Sequence, residues 1–449
     1  MFDFLKKKKN IVVRIPPSPT GFFHVGRART ALFNYLFAKK MGGRIVFRIE
    51  DTDKERSKRE YEEDIIESLK WLGITYDEGP LRQSERGAVY SKYIRKMLAD
   101  GTAYVSKETE GANSEVIRFR NPNKKITFTD IIRGDITVDT TDLGDFVIAR
   151  NAEDPLYHLT VVVDDSEMHV THVIRGDDGI ANTPRQILLQ EAIGAPRPSY
   201  AHVPLILAPD KSKMSARHGA TSLRDFREAG YLPEAFANFL ALLGFNPGGE
   251  RELYTLPELV EVFDLSRVQK GGAVFNTEKL DWFNKEYLKK IPKEEAKKNI
   301  VEHLKKTKFG NSEKLSDEKF LEKVIPILFE RISKWKDIDI IIGAGEFDFF
   351  FESPKYDPSL LSWKGSPVDE AKKHLAWVKQ TLEKAEDPAF DSADSVKALI
   401  FDYATEQGRG NVLWPLRVSL SGKEKSPDPF TLIYVLGKNE SISRISKAI

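Results

Sequence analysis

Residues 14–26, RIPPSPTGFFHVG, decide the fold. They leave an apolar run at 10–16 (NIVVRIP) with the character of a buried strand. They pass at once into a segment in which Ala28, Ala31, Leu32, Tyr35 and Leu36 recur at helical spacing. A second apolar run at 44–50 (RIVFRIE) follows, so the chain opens as strand, helix, strand, the unit of a parallel sheet. In such a sheet ligands bind beyond the C-terminal ends of the strands, where loops meet helix N-termini, and the quoted loop stands in that place. A helix N-terminus offers unpaired N–H groups that favour phosphate. The prolines stiffen the loop, Gly21 permits positive φ, and Gly26 lets a ligand lie against the backbone. His24 adds a donor that can point at a phosphate. The plain alternative is a stiff turn carrying a solvent-exposed histidine, since neither GxGxxG nor GxxxxGK[ST] occurs here.

Outward from this unit, residues 61–72 (YEEDIIESLKWL) read as a second helix. From about 103 to 150 the pattern changes to short β-like runs such as EVIRFR and GDFVIAR, the mark of an insertion. Parallel-sheet strands are predicted to resume at 159–165 (LTVVVDD) and 170–174. A helix at 183–192 opens with Asn182 as N-cap and Pro184 in its first turn, and a strand at 200–207 follows. After residue 220 the amphipathic stretches are helical. The expected architecture is therefore α/β: a split Rossmann-type, doubly wound parallel sheet with a small α+β insertion, followed by helical domains. The chain of 449 residues has room for two to four domains, contains no cysteine, and carries a net charge of +1. Disulfides and thiolate zinc sites are excluded, and any nucleic-acid surface must be a local patch. No apolar run reaches a membrane span, and residues 1–10 lack the apolar core of a secretory signal, so the expected compartment is the cytoplasm.

A second loop, residues 210–219 (DKSKMSARHG), gathers Lys211, Lys213, Arg217 and two serines. Clustered cations and hydroxyls suit an anion whose charge grows during reaction, although alone the loop reads equally as a solvated basic turn. Taken with the first loop it is more specific. FHVG at 23–26 is similar to the HIGH element of class I aminoacyl-tRNA synthetases, and KMSAR at 213–217 to their KMSKS element. PSPTGFFHVGRARTALFNYL, RIEDTD, VVVDD, THVIRGDD, NTPRQILL and GYLPEAFANFLALLGF, in that order, resemble the bacterial-type glutamyl-tRNA synthetases. The resemblance is close over residues 11–288 and weaker, as in NVLWPLR at 411–417, to the end.

The resemblance implies ATP-dependent joining of L-glutamate to the 3′ end of tRNA(Glu) through glutamyl-adenylate, with charging of tRNA(Gln) left open. It implies ATP with Mg²⁺ as co-substrate, no zinc, no membrane partner and a monomer. It divides the chain into a catalytic domain at 1–100 and 158–218, an acceptor-binding insertion at 101–157, a helical stem-contact domain at 219–290 and a helical anticodon-binding region at 291–449. It assigns catalysis to His24, Gly26, Lys213 and Ser215. ATP binding falls to Pro17, Ser18, Thr20, Gly21, His24, Gly26, Lys211, Lys213, Met214, Ser215, Ala216 and Arg217. Glutamate falls to Arg14, Ser18, Glu50, Tyr157 and Arg175, and the tRNA acceptor end to Asp53 and Arg56. Arg409, Trp414 and Arg417 are candidates for anticodon contact, although the structural reading is the stronger one for each.

The chain departs from the family in three places. Ala216 replaces the second lysine of KMSKS, a loss of one preorganised charge typically worth ~3 kcal/mol. Asp177 and Gly179 stand where a longer acid and a ring are usual, and the insertion is compact. Two competing readings follow: a small-molecule nucleotidyltransferase on the same scaffold, and a catalytically impaired, synthetase-like tRNA-binding paralogue, which only Ala216 favours.

Overall fold

The first apolar run forms strand β1 (Val12–Ile15), buried at every residue, and the periodic segment after the loop forms helix α1 (Val25–Met41). In the computed structural model, which describes residues 10–108, 115–215 and 219–449, α1 ends at Gly42 in the left-handed conformation. Gly43 then passes so close to β1 that a Cβ there would stand 2.6 Å from the Ile11 carbonyl oxygen. Only glycine fits this turn into β2 (Arg44–Ile49), which pairs parallel with β1 from Val12↔Arg44 to Ile15↔Phe47. Helix α2 (Arg59–Trp71) crosses to β3 (Glu78–Arg82), parallel to β2 on its other edge.

Helix α3 (Gly87–Ala99) leads into the expected run of short strands: β4 (Ala103–Lys107), β5 (Glu115–Phe119), β6 (Lys125–Asp130), β7 (Gly134–Asp139), β8 (Phe146–Asn151) and β9 (Asp154–Pro155). Strands β4, β5, β8 and β9 form an antiparallel sheet of their own. The hairpin β6–β7 joins a different sheet, described below.

The predicted strand at 159–165 is a helix, α4 (Tyr157–Glu167). Thr160 to Val163 cost up to ~0.7 kcal/mol each against alanine in a helix, but all four are buried, and burying one such side chain returns roughly 1.5–3 kcal/mol. Burial on every side also erases the periodicity that separates a buried helix from a buried strand. Strand β10 (His172–Gly176) follows, then a short 3₁₀ turn from Asp177 to Asn182 and helix α5 (Thr183–Ile193). Asn182 takes the cap position of α5 without a side-chain capping bond. The strand expected at 200–207 is divided, into β11 (Ser199–Val203) and β12 (Ile206–Leu207), by Pro204 and Leu205.

Strand β10 pairs parallel with β11, which pairs with β6 at Tyr200↔Asp130. The Thr171 N–H donates to the Val12 carbonyl and the Val12 N–H to Thr171 Oγ1, each at 2.9 Å, which lays β10 beside β1. The chain thus runs from β1 toward β2 and β3 on one side, and from β10 toward β11 and β6 on the other. Alternation along β1 sends Val13 and Ile15 into one core layer with α1, α6 (Pro233–Leu242) and α7 (Leu256–Val262). Val12 enters the opposite layer with α3, α4 and α5.

These elements belong to one compact unit, Met1–Tyr287; Leu288–Ile449 forms a second. The described secondary structure of the second unit is helical, and its longest helix, α8 (Pro429–Ala448), is broken at Gly437 by a φ of 78°. No helix among the described residues is long and apolar enough to cross a membrane.

Candidate active site

The strand order reverses between β1 and β10, and there the loops leaving the two strands open a cavity of about 710 Å³. The loop after β1 is pinned by its own carbonyls, which have no competing helix to join: Pro17 accepts from the Glu50 N–H and Pro19 from the Lys58 N–H, each at 3.0 Å. His24 caps α1, its Nδ1 accepting from the Gly26 N–H at 3.0 Å. That bond fixes the tautomer, so the proton sits on Nε2. Burial, with the neighbouring Arg27 and Lys213, lowers the His24 pKa and keeps the ring a neutral donor.

The residues just after the second loop return to the first: the Val25 N–H donates to the Thr221 carbonyl and the Leu223 N–H to the Phe23 carbonyl, both at 2.9 Å. On the near side of the loop, Lys213 bridges to Leu207, and the Met214 N–H bonds the Ile206 carbonyl at 3.2 Å.

Charged side chains converge beneath. Arg14, 2% exposed, donates to the Ile174 carbonyl at 3.2 Å and stands 3.5 Å from Asp165. Glu50, just beyond β2, accepts from Arg48 at 2.8 Å, and Arg48 also meets Asp165 at 2.8 Å. Burial raises the Glu50 pKa against the opposing pull of Arg48 and Arg14. Arg175, at the end of β10, makes four hydrogen bonds to protein: Nε to His202 Nε2 (3.1 Å), Nη1 to Gln186 (2.8 Å), and Nη2 to the Gly179 carbonyl (3.0 Å) and Thr183 (2.7 Å). Among the described residues no carboxylate lies at ion-pair distance from it.

Of the residues expected from the sequence, Arg14, Pro17, Ser18, Thr20, Gly21, His24, Gly26, Glu50, Tyr157, Arg175, Lys213, Met214 and Ser215 line this one cavity. Lys211 does not line it; it sits in a turn at a φ of 64°. Asp53 and Arg56 also lie outside it and pair with each other at 2.6 Å. Ala216 and Arg217 lie outside the described residues. In the second unit the Trp414 indole donates to the Leu360 carbonyl and the Arg409 guanidinium covers the Phe401 ring, both structural engagements, while Arg417 Nε is buried without a hydrogen-bond partner.

Sequence reasoning missed Arg27, which reaches the Ser18 carbonyl at 2.8 Å, and the buried pair Arg48 and Asp165. Arg48 carried a signal: two residues from Glu50 in a strand, it must share its face.

Residues 10–113 and 107–282 match the catalytic domain of class I tRNA synthetases (E and Q), and 297–449 match an anticodon binding domain. The chain is 38% identical over 495 residues to a glutamate–tRNA ligase of Desulforamulus reducens, covering 98% of this chain and 100% of the relative. It is 39% identical to that of Aquifex aeolicus over 483 residues, covering 98% of each. A crystal structure of a glutamate tRNA ligase from Elizabethkingia meningosepticum in complex with its amino acid superimposes with a TM-score of 0.85 at 34% identity, over 98% of this chain and 99% of that one.

Proposed function

We propose the reaction path that follows for this chain, which belongs to the class I tRNA synthetases of the glutamate and glutamine type. The enzyme joins glutamate to tRNA at the expense of ATP. A glutamate carboxylate oxygen attacks the α-phosphorus of ATP, the bond to the β-phosphate breaks, and pyrophosphate leaves. A ribose hydroxyl at the 3′ end of the tRNA then attacks the carbonyl of the mixed anhydride, and AMP leaves with the bonding electrons. Neither step uses a protein nucleophile, so alignment and charge stabilisation carry the rate.

The observation that carries this reading is one cavity lined by residues of both motifs, His24 and Gly26 on one loop and Lys213, Met214 and Ser215 on the other, and containing fixed charges of both signs. His24 Nε2–H and the N-terminus of α1 behind Gly26 hold the phosphates, with Lys213, Met214 and Ser215 on the facing loop and Pro17, Ser18, Thr20 and Gly21 beside them. Lys211, Ala216 and Arg217 belong to the same phosphate loop, and Mg²⁺ arrives on ATP as part of the substrate. Glu50 takes the glutamate ammonium, Arg14 and Arg175 take carboxylate, and Ser18 and Tyr157 supply hydrogen bonds. Asp53 and Arg56 face the acceptor end after exchanging partners with it. Residues 101–157 meet the acceptor arm, 219–290 the stem and 291–449 the anticodon, on a catalytic body formed by 1–100 and 158–218. The enzyme works as a cytoplasmic monomer without zinc.

Charging of purified tRNA(Glu) and tRNA(Gln) with labelled glutamate, side by side, tests the reading. Product on tRNA(Glu) supports it, and product on both extends it to the second acceptor. Charging of neither, with tRNA still bound, would establish an impaired paralogue instead.

A further inference from the structure

Arg175 must present its guanidinium to a carboxylate, yet none of the groups that hold it is charged: two are oxygens of Gly179 and Thr183, one is the Gln186 amide, and the last is an imidazole. The imidazole is the informative one. A guanidinium Nε–H can only donate, so His202 Nε2 at 3.1 Å must be a bare acceptor, and the ring proton must sit on Nδ1. His202 Nδ1 lies 2.7 Å from Asp130 Oδ2, which accepts that proton's hydrogen bond.

Asp130 is itself immobile. Its Oδ2 accepts also from the His202 N–H at 3.0 Å, and its Oδ1 from the N–H groups of Ile132 and Arg133, each at 2.9 Å. His202 is fully buried and Asp130 is 1% exposed. The ring is held between Tyr200, stacked at 6.1 Å, and Phe128, edge-on at 6.4 Å. No water is needed to explain any of these contacts, and none of the three side chains has freedom to turn.

We infer that Asp130 and His202 are positioning residues for glutamate binding: Asp130 fixes the His202 tautomer, and the bare Nε2 aims the Arg175 guanidinium at the substrate carboxylate. This rests on the reading of Arg175 as a glutamate contact and extends it to two residues outside the cavity, one of them on the β6–β7 hairpin. A carboxylate behind an imidazole also makes the far nitrogen a better acceptor, as in metal-ligating and catalytic histidines.

Two substitutions of equal polarity separate this role from simple packing. His202→Gln retains an acceptor near the place of Nε2, while His202→Asn retains only the donor near the place of Nδ1. Steady-state aminoacylation should show a glutamate KM at least about tenfold higher for His202→Asn than for His202→Gln, as expected for one hydrogen bond to a charged group, with equal ATP KM values for the two. Equal glutamate KM values, or an ATP KM that rises in step, would overturn the inference. Arg175→Ala in the same assay keeps the two levels apart. A glutamate KM unchanged by Arg175→Ala would remove the underlying reading, whereas a raised one together with equal Gln and Asn variants would remove only the relay.

Discussion

Gly179 offers the sharpest test of how the glutamate end is built. A Cβ placed on it would stand 2.7 Å from Arg175 Cδ and closer still to Nε. The backbone at 179 lies in a 3₁₀ turn at negative φ, a conformation alanine adopts freely, so Gly179→Ala carries no backbone strain. The colliding atoms belong to the Arg175 side chain, which must give up its hydrogen bonds to move aside. The guanidinium gives up hydrogen bonds inside the fold when it moves, so global stability should fall, by about 1.5–3 kcal/mol for each charged hydrogen bond that is not re-formed. The guanidinium that swings away leaves the places set by His202, Gln186, Thr183 and the Gly179 carbonyl. If it thereby loses one charged hydrogen bond to the substrate, the cost is about 1.5–3 kcal/mol, or roughly ten- to a hundredfold in glutamate KM. ATP KM should change by less than about twofold, since the phosphate contacts lie on the other loop pair. The assay is aminoacylation at saturating tRNA with each small substrate varied in turn, beside a thermal melt. A double-mutant cycle closes the argument: in an Arg175→Ala background, Gly179→Ala should cost nothing further. Additive losses in the cycle, or a glutamate KM that does not move in the single variant, would refute the reasoning.

The remaining expectations concern the phosphate donor, the ammonium site and its support. His24→Asn keeps a side-chain oxygen that can cap α1 but shortens the reach of Nε2–H, so kcat should fall by about 10²–10³ while the melting temperature stays close to the parent's; an unimpaired kcat would remove His24 from the transition state. Because burial raises the Glu50 pKa, this carboxylate takes up its proton sooner than an ordinary glutamate as pH falls, and the protonated form cannot hold an ammonium. If Glu50 holds the ammonium, glutamate KM should therefore begin to climb at a higher pH than a free carboxylate would give as the pH is lowered, and Glu50→Gln should flatten the profile. Arg48→Met leaves Asp165 and Glu50 buried without their common partner, which should destabilise the first unit by about 3–5 kcal/mol, measurable by denaturant unfolding.

The parts of the site that were legible in the sequence lie on elements with a clean local signal. Residues 14–26 announce a strand-to-helix loop because the helix behind them has apolar residues at helical spacing, and its capping residue is polar. Thr160 to Val163 gave no such signal, because a helix buried on all sides has no polar face to set a period. Asp164 and Asp165 held a clue: adjacent residues of a strand point to opposite faces, yet both acids are buried, Asp164 against Arg86 at 2.8 Å and Asp165 against Arg48 at 2.8 Å. A helix end can turn both inward, Asp165 toward Arg48 on β2 and Asp164 toward Arg86 just before α3. His202 was illegible for another reason. Its partners come from positions 72 residues earlier and 27 residues earlier in the chain, and nothing local distinguishes it from a core histidine.

The two pocket arginines differ in what balances them, and that difference bears on which substrate the site prefers. Arg14 stands beside Asp165, so part of its charge is already met within the fold. Among the described residues Arg175 has only neutral acceptors, and burial, which lowers its pKa, weighs against its charge. A carboxylate arriving at Arg175 relieves this burden by supplying a full negative charge; a carboxamide supplies one acceptor oxygen and turns an N–H₂ group toward a donor-only guanidinium. On the proposal that Arg175 meets the substrate carboxylate, the arrangement favours glutamate over glutamine because a carboxylate supplies a balancing charge and a carboxamide does not. A protein carboxylate at ion-pair distance would balance the guanidinium's charge in advance and leave Arg175 indifferent to the charge of the side chain it meets, and among the described residues there is none.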